Sequence, residues 1–155
     1  MTIQEFAHIG INCRDPAATE AFYTKHFGFK RARVVPIGDD QIVFLRTDHG
    51  NVHLEIFRAT EELPFETAFK DGPGFPGFRH FAFKVDDVDA KLREMGPDAR
   101  VTLGPLSFDD FIPGWRTAWL ADPDGRIVEI SQGFTDQDNP PLSGFEKSRE
   151  NGRED

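Results

Sequence analysis

The segment FAHIGINCRD, from Phe6 to Asp15, returns in kind as FRHFAFKVDD from Phe78 to Asp87. Each copy is a short alternating strand with a histidine at its third position, and each ends in aspartate where a helical pattern opens. A chain that states one unit twice must bury the same faces twice, so this repeat constrains the fold more than any composition figure. Asp15 followed by Pro16 supplies an N-cap and a preset first turn for a helix that runs through Phe22 to a stop at Gly28. Asp86 or Asp87 caps the second helix, in which Val88, Leu92 and Met95 stand at helical spacing before Gly96 and Pro97 end it.

After the first helix the sequence predicts strands near 30–36, 41–47 and 51–58, with Gly38-Asp39-Asp40 and Asp48-His49-Gly50 as turns. After the second it predicts strands near 100–106, 115–121 and 126–132. Asp122-Pro-Asp-Gly125 is a strong hairpin turn, because proline presets φ and glycine accepts positive φ. The expected fold is therefore α+β, one domain over 1–133 made of two βαβββ modules at about 3–58 and 77–133. Residues 59–76, rich in proline, glycine and phenylalanine, connect the modules. The polar segment 134–155, with Asn139-Pro-Pro141, is expected to be a disordered tail.

Composition narrows the function. At 155 residues and a net charge of −9, the chain lacks the basic footprint of a nucleic-acid or anionic-membrane binder. The single cysteine, Cys13, excludes an internal disulfide and a thiolate-rich metal cluster. No apolar run approaches the ~18 residues of a membrane span, and the first residues have no signal character. A soluble, cytoplasmic protein is expected. Sixteen phenylalanines stand against one tyrosine, Tyr23, so phenolic acid–base chemistry is nearly excluded.

Alternation in strands sorts side chains by face. Ala7, Ile9, Ile11 and Cys13 fall on one face of the first strand and His8 on the other. Val52, Leu54 and Ile56 leave His53, Glu55 and Phe57 opposite. Phe81, Phe83 and Val85 leave His80 opposite, and Val128 and Ile130 leave Ile127, Glu129 and Ser131. His8 precedes Glu55 by 47 residues and His80 precedes Glu129 by 49. A pseudo-twofold axis relating the modules would gather two imidazoles and two carboxylates, a set that suits one divalent ion with positions open to water or substrate. Zn, Ni, Co, Mn and Fe all fit such donors.

At these residues the chain resembles the vicinal oxygen chelate superfamily, which includes glyoxalase I, bleomycin resistance proteins and extradiol dioxygenases. The resemblance spans about 3–133 and rests on the histidine-strand-helix openings, on Phe22-Tyr23 followed by Phe27-Gly28-Phe29, and on Asp122-Pro-Asp-Gly-Arg-Ile-Val-Glu129. It implies paired βαβββ modules forming a curved, mostly antiparallel sheet cup around a metal, with helices on the outer face. It places the ligand positions on His8, Glu55, His80 and Glu129, and it implies a homodimer.

Other candidates carry weaker signals. His53 shares the face of Glu55, either as a fifth polar group of the cup or, as we favour, as a rim residue. His26 reads as a helix C-terminal residue favoured by the dipole, His49 as a turn residue and Cys13 as a buried small hydrophobe. Phe65, Phe69, Phe75, Phe78, Phe108, Phe111 and Trp115 are candidates to wall an apolar pocket or to pack an interface. Arg31, Arg33, Arg46, Arg58 and Arg116 are candidate anion clamps.

The leading expectation is a metal-dependent lyase or isomerase acting on a small substrate through two vicinal oxygens and an enediolate-type intermediate. The resemblance to glyoxalase I implies Glu129 or Glu55 as the base. An acyl-CoA epimerase is chemically close. An extradiol dioxygenase would use His8, His80 and Glu129, but Glu55 would fill a position that oxygen needs, and the segment from Trp115 to Ala121 lacks the expected histidine and tyrosine. A metal-free, antibiotic-sequestering binding protein is the rival of another class. The substrate is expected not to be a glutathione adduct. Small glyoxalase I enzymes place arginine four residues after the first ligand and asparagine four after the second, where this chain has Asn12 and Ala59.

Overall fold

The computed structural model describes residues 4–63 and 70–141. The chain runs β1 (His8–Cys13), α1 (Pro16–Phe27), β2 (Lys30–Ile37), β3 (Asp40–Arg46) and β4 (His53–Arg58). It then repeats the order as β5 (Phe81–Lys84), α2 (Val88–Met95), β6 (Val101–Ser107), β7 (Arg116–Ala121) and β8 (Ile127–Gln132). Both helices start as the sequence predicts. Asp15 accepts the Ala18 N–H at 3.1 Å and Asp87 the Ala90 N–H at 2.8 Å. Gly28, at φ 69°, ends α1 in the left-handed region that glycine adopts without steric cost.

The expected sheet cup takes the form of two four-stranded sheets, ordered β1-β4-β3-β2 and β5-β8-β7-β6. In each, the first strand lies parallel to the fourth and the remaining ladders are antiparallel. β1 and β5 are therefore the outermost strands on one side of their sheets.

The core follows the parity argument at Ile11, Cys13, Leu54, Ile56, Val128 and Ile130, all buried. Two positions depart from it. Ala7 precedes β1 and is exposed. Ile127 is buried although it was assigned to the open face, because β8 begins beside the buried Asp122 turn and is covered on both sides there.

That turn joins the two modules. Asp122 is fully buried; one carboxylate oxygen accepts the Tyr23 hydroxyl at 2.9 Å and the Arg126 Nε–H at 2.8 Å, the other the backbone N–H groups of Asp124 and Arg126. Arg126 also donates to the Asn12 carbonyl at 2.7 Å, and Asp124 accepts from the Arg14 backbone and the Thr19 hydroxyl. Breaking a buried ion pair of this kind from one side costs about 3–5 kcal/mol. Burial, together with the Asp122 charge, pushes the Tyr23 phenol well above its usual pKa. The one tyrosine thus serves structure, not proton transfer.

His26 stands in the last turn of α1, as expected, and also has a tertiary role. It is 4% exposed and its Nε2 lies 2.9 Å from Asp98, so it ties α1 to the second module. No helix of the described residues is long and apolar enough to cross a membrane. The expected disorder of the tail lies outside the described residues from 142 onward.

Candidate functional site

In the first module β1 and β4 run parallel, with Gly10 opposite Glu55 and His8 opposite His53. His8 Nε2 lies 3.4 Å from Glu55 Oε2. In the second module Ala82 stands opposite Glu129 in the matching parallel ladder, and His80 immediately precedes β5. His80 Nε2 lies 2.9 Å from Glu129 Oε2. Each module thus presents one imidazole beside one carboxylate, whereas the duplicated spacing leads one to expect all four together.

The described residues bring these four donors together two by two, and no three His, Cys, Asp or Glu side chains among them converge as a metal-holding group. What the pairs offer a metal is clearest at His80. Its Nδ1 lies 2.5 Å from the Asp71 carbonyl, which only accepts, so Nδ1 carries the hydrogen. Nε2 then faces the Glu129 carboxylate. A lone pair against a carboxylate oxygen needs positive charge between them, supplied by a second imidazole proton or by a metal ion. A backbone carbonyl behind an imidazole is the usual support of a histidine ligand. The donors fit a divalent ion in chemistry, pair by pair.

The carbonyl of Asp71 is itself held. Arg79 donates to the Asp71 carboxylate at 2.6 Å and to the Pro73 carbonyl at 2.9 Å. The hydrogen bond from Arg79 also keeps the Asp71 carboxyl below the usual carboxylate range. Gly72, at φ 120°, permits the tight return: a Cβ there would sit 2.2 Å from the Arg79 carbonyl oxygen.

Aromatic rings back both pairs. Phe44 stands opposite Glu55 and edge-on to His8 and His53, at 6.3 and 6.4 Å between ring centres. Trp119 stands opposite Glu129 and 6.3 Å from the His80 ring. Sequence reasoning missed Trp119. Its signal was available, since Ala118 and Leu120 on either side belong to the core face and leave Trp119 on the face of Glu129. Phe108 packs against Trp115 and Trp119, and Phe134 against Trp115, forming an aromatic wall beside the second pair.

His53 is half-buried and lines a cavity of about 330 Å³ at the seam between modules, with Ile9, Phe29, Leu54, Phe81 and Phe83 among its walls. It sits apart from the pairs in this respect, since none of His8, Glu55, His80 or Glu129 lines that cavity. Three of the candidate anion clamps are engaged in ion pairs: Arg31 with Glu20, Arg58 with Asp40 and Arg116 with Asp89. Arg33 and Arg46 are exposed, as is His49. Cys13 is fully buried and burial pushes its thiol pKa up, which suits packing, not attack. Phe75, Phe78 and Phe111 are exposed, and Phe65 and Phe69 lie outside the described residues.

Comparison with known proteins agrees with this architecture. The chain is 28% identical over 135 residues to the uncharacterized protein YaeR of Escherichia coli K12, covering 83% of this chain and 95% of that one. A glyoxalase family protein from Enterococcus faecalis, 32% identical, superposes with a TM-score of 0.61 over 84% of this chain and 99% of its own. A lactoylglutathione lyase from Agrobacterium tumefaciens, at 23% identity, shares the fold with a TM-score of 0.55 over 86% of this chain and 96% of its own. The model of one family matches residues 5–130. That match takes in both βαβββ modules save the last two residues of β8, and the chain belongs to the Glyoxalase/Bleomycin resistance protein/Dioxygenase superfamily.

Proposed function

We propose that this chain is a metal-dependent enzyme of glyoxalase type, a lyase or isomerase that moves a proton between adjacent carbons of a small substrate bearing two vicinal oxygens. The observation that carries this reading is the His80–Glu129 pair, 2.9 Å apart, with the far nitrogen of His80 fixed on the Asp71 carbonyl. Its counterpart, His8 with Glu55, repeats the donors in the other module.

His8, Glu55, His80 and Glu129 would hold the ion, two from each module, with no thiolate among them. The pairs stand on separate sheets whose β1 and β5 strands are outermost, and such edges invite pairing with another chain. A second copy that sets its β5 module against this β1 module would complete the four-donor set. A dimer then holds two sites, or about one ion per chain.

A bound divalent ion would act as a Lewis acid toward the charge that develops on the substrate's oxygens. The protein supplies the proton traffic. A Glu129 carboxylate oxygen takes the proton from the carbon beside the carbonyl, the C–H electron pair moves toward the carbonyl oxygen, and the proton returns to the neighbouring carbon. Glu55 holds the equivalent position in the other half. Positioned acid–base help of this sort contributes about 10²–10⁴-fold in rate.

Solvent exchange tests the reading. Metal-restored protein in D2O should wash deuterium into the carbon beside the carbonyl of hydroxyacetone or methylglyoxal adducts, and Glu129→Gln should not. Exchange that proceeds equally in Glu129→Gln, or is absent with every metal restored, contradicts it.

A further inference from the structure

The two modules differ at the residue facing each glutamate. Phe44 opposes Glu55 in the first, and Trp119 opposes Glu129 in the second. The two rings hold the same register position, and the indole adds one polar atom, Nε1. Trp119 is 7% exposed, and its Nε1–H is buried without an acceptor among the described residues. The other tryptophan shows the ordinary arrangement, since Trp115 Nε1 donates to the Ser131 hydroxyl at 3.1 Å. Buried indole donors nearly always find a partner, and an unpaired one requires a reason. Here the unpaired donor belongs to a ring standing edge-on to His80, 67° between planes, and also in edge contact with Phe108.

We infer that the Trp119 indole N–H is a specificity-determining donor for the substrate, held ready for an oxygen that gains negative charge at the His80–Glu129 half of the site. This inference rests on the function proposed above and deepens it. It assigns the acceptor a class: an oxygen of carbonyl or oxyanion character, with the adjoining part of the substrate against the Trp119 and Phe108 rings. Because the donor is neutral and buried, it favours the developing anion without introducing a charge that would compete with the metal donors. Phe44 offers no such donor, so the acceptor is drawn to one half of the site and the substrate acquires an orientation.

The test uses the full chain loaded with zinc and acetohydroxamate, whose anion carries two vicinal oxygens. The chain has two tryptophans, so its ¹H–¹⁵N spectrum contains two indole signals, assigned with Trp115→Phe. On adding acetohydroxamate the Trp119 indole proton should move downfield and exchange more slowly with solvent, while the Trp115 signal stays in place. Trp119→Phe should bind acetohydroxamate about 10- to 100-fold more weakly while binding zinc as the wild type does. Where that variant fails to fold, the wild-type indole signal alone decides. An unmoved Trp119 signal with acetohydroxamate bound, or equal affinity in Trp119→Phe, overturns the inference and leaves the proposed function standing. A zinc-loaded wild type that binds no hydroxamate overturns both.

Discussion

His8 stands 3.4 Å from Glu55 with half of its side chain open to solvent, whereas His80 stands 2.9 Å from Glu129 with 22% exposed. The donors are the same and so is the strand register, yet among the described residues only the second histidine is bonded through its far nitrogen to a backbone carbonyl. The cause lies in Arg79 and in the connector that precedes the second copy. Where the first copy has Ala7 before its histidine, the second has Arg79, whose guanidinium gathers Asp71 and Pro73 and presents the carbonyl. Arg79 and the connector residues that it gathers thus back the second pair. Equivalent donors in equivalent register thus differ in their order according to what is packed behind them. Under the proposed function, a preset half would lower the ordering cost of binding, and the more open half would give the ion and the substrate a way in.

Several changes would break or sharpen this contrast. Glu129→Gln should lower turnover by about 10²–10⁴-fold while sparing affinity for a substrate analogue, because the amide cannot take the proton. Comparison of kcat with the analogue's Kd checks this, and equal losses in both would move the base to Glu55.

The next effect concerns substrate choice. Asn12 and Ala59 stand where a charged and a neutral contact to glutathione would be needed, and Arg31, Arg58 and Arg116 are occupied by Glu20, Asp40 and Asp89. The methylglyoxal–glutathione hemithioacetal should therefore be a poor substrate, with affinity lower by about 10²–10³-fold than a dedicated site would give. Steady-state assays with each metal restored measure it. A kcat/KM above about 10⁵ M⁻¹s⁻¹, an ordinary enzyme value, would identify the glutathione adduct as the substrate.

Arg79→Ala removes the support behind His80 without touching a donor. Metal affinity should fall about 10- to 100-fold, the usual effect of losing an outer hydrogen-bond partner. Competition with a chelator reads this out, and unchanged affinity would mean that the Asp71 carbonyl does not order His80. His53→Ala should matter least, changing turnover by less than about tenfold, or roughly 1.4 kcal/mol, since His53 lines the seam cavity and not the pairs. A loss as large as that for Glu129→Gln would make it a participant in the chemistry.

Much of this was legible in the sequence because it rests on periodicity and caps. Period-two alternation put His8 and Glu55, and His80 and Glu129, on shared faces, and Asp15 and Asp87 marked the helix starts that the structure shows. What escaped depends on groups without a side-chain signature. The carbonyl that fixes His80 belongs to Asp71, nine residues away in a loop, and any residue type carries a carbonyl. Trp119 is passed over although alternation with Ala118 and Leu120 marks its face, because it carries no metal-ligand or acid–base group. Asp122 reads as a turn residue, although burial against Tyr23 and Arg126 makes it the joint between modules. His26 reads as a helix-end residue, and its tertiary partner, Asp98 in the other module, has no signature in the local sequence.

The central claim is that the two His–Glu pairs hold one divalent ion per chain. Calorimetric titration of zinc into chelator-treated protein tests it most directly, with the wild type beside the double variant His80→Ala, Glu129→Ala. The account predicts about one ion per chain in the wild type and none in the variant. Zinc binding of undiminished affinity and stoichiometry in the double variant would contradict it.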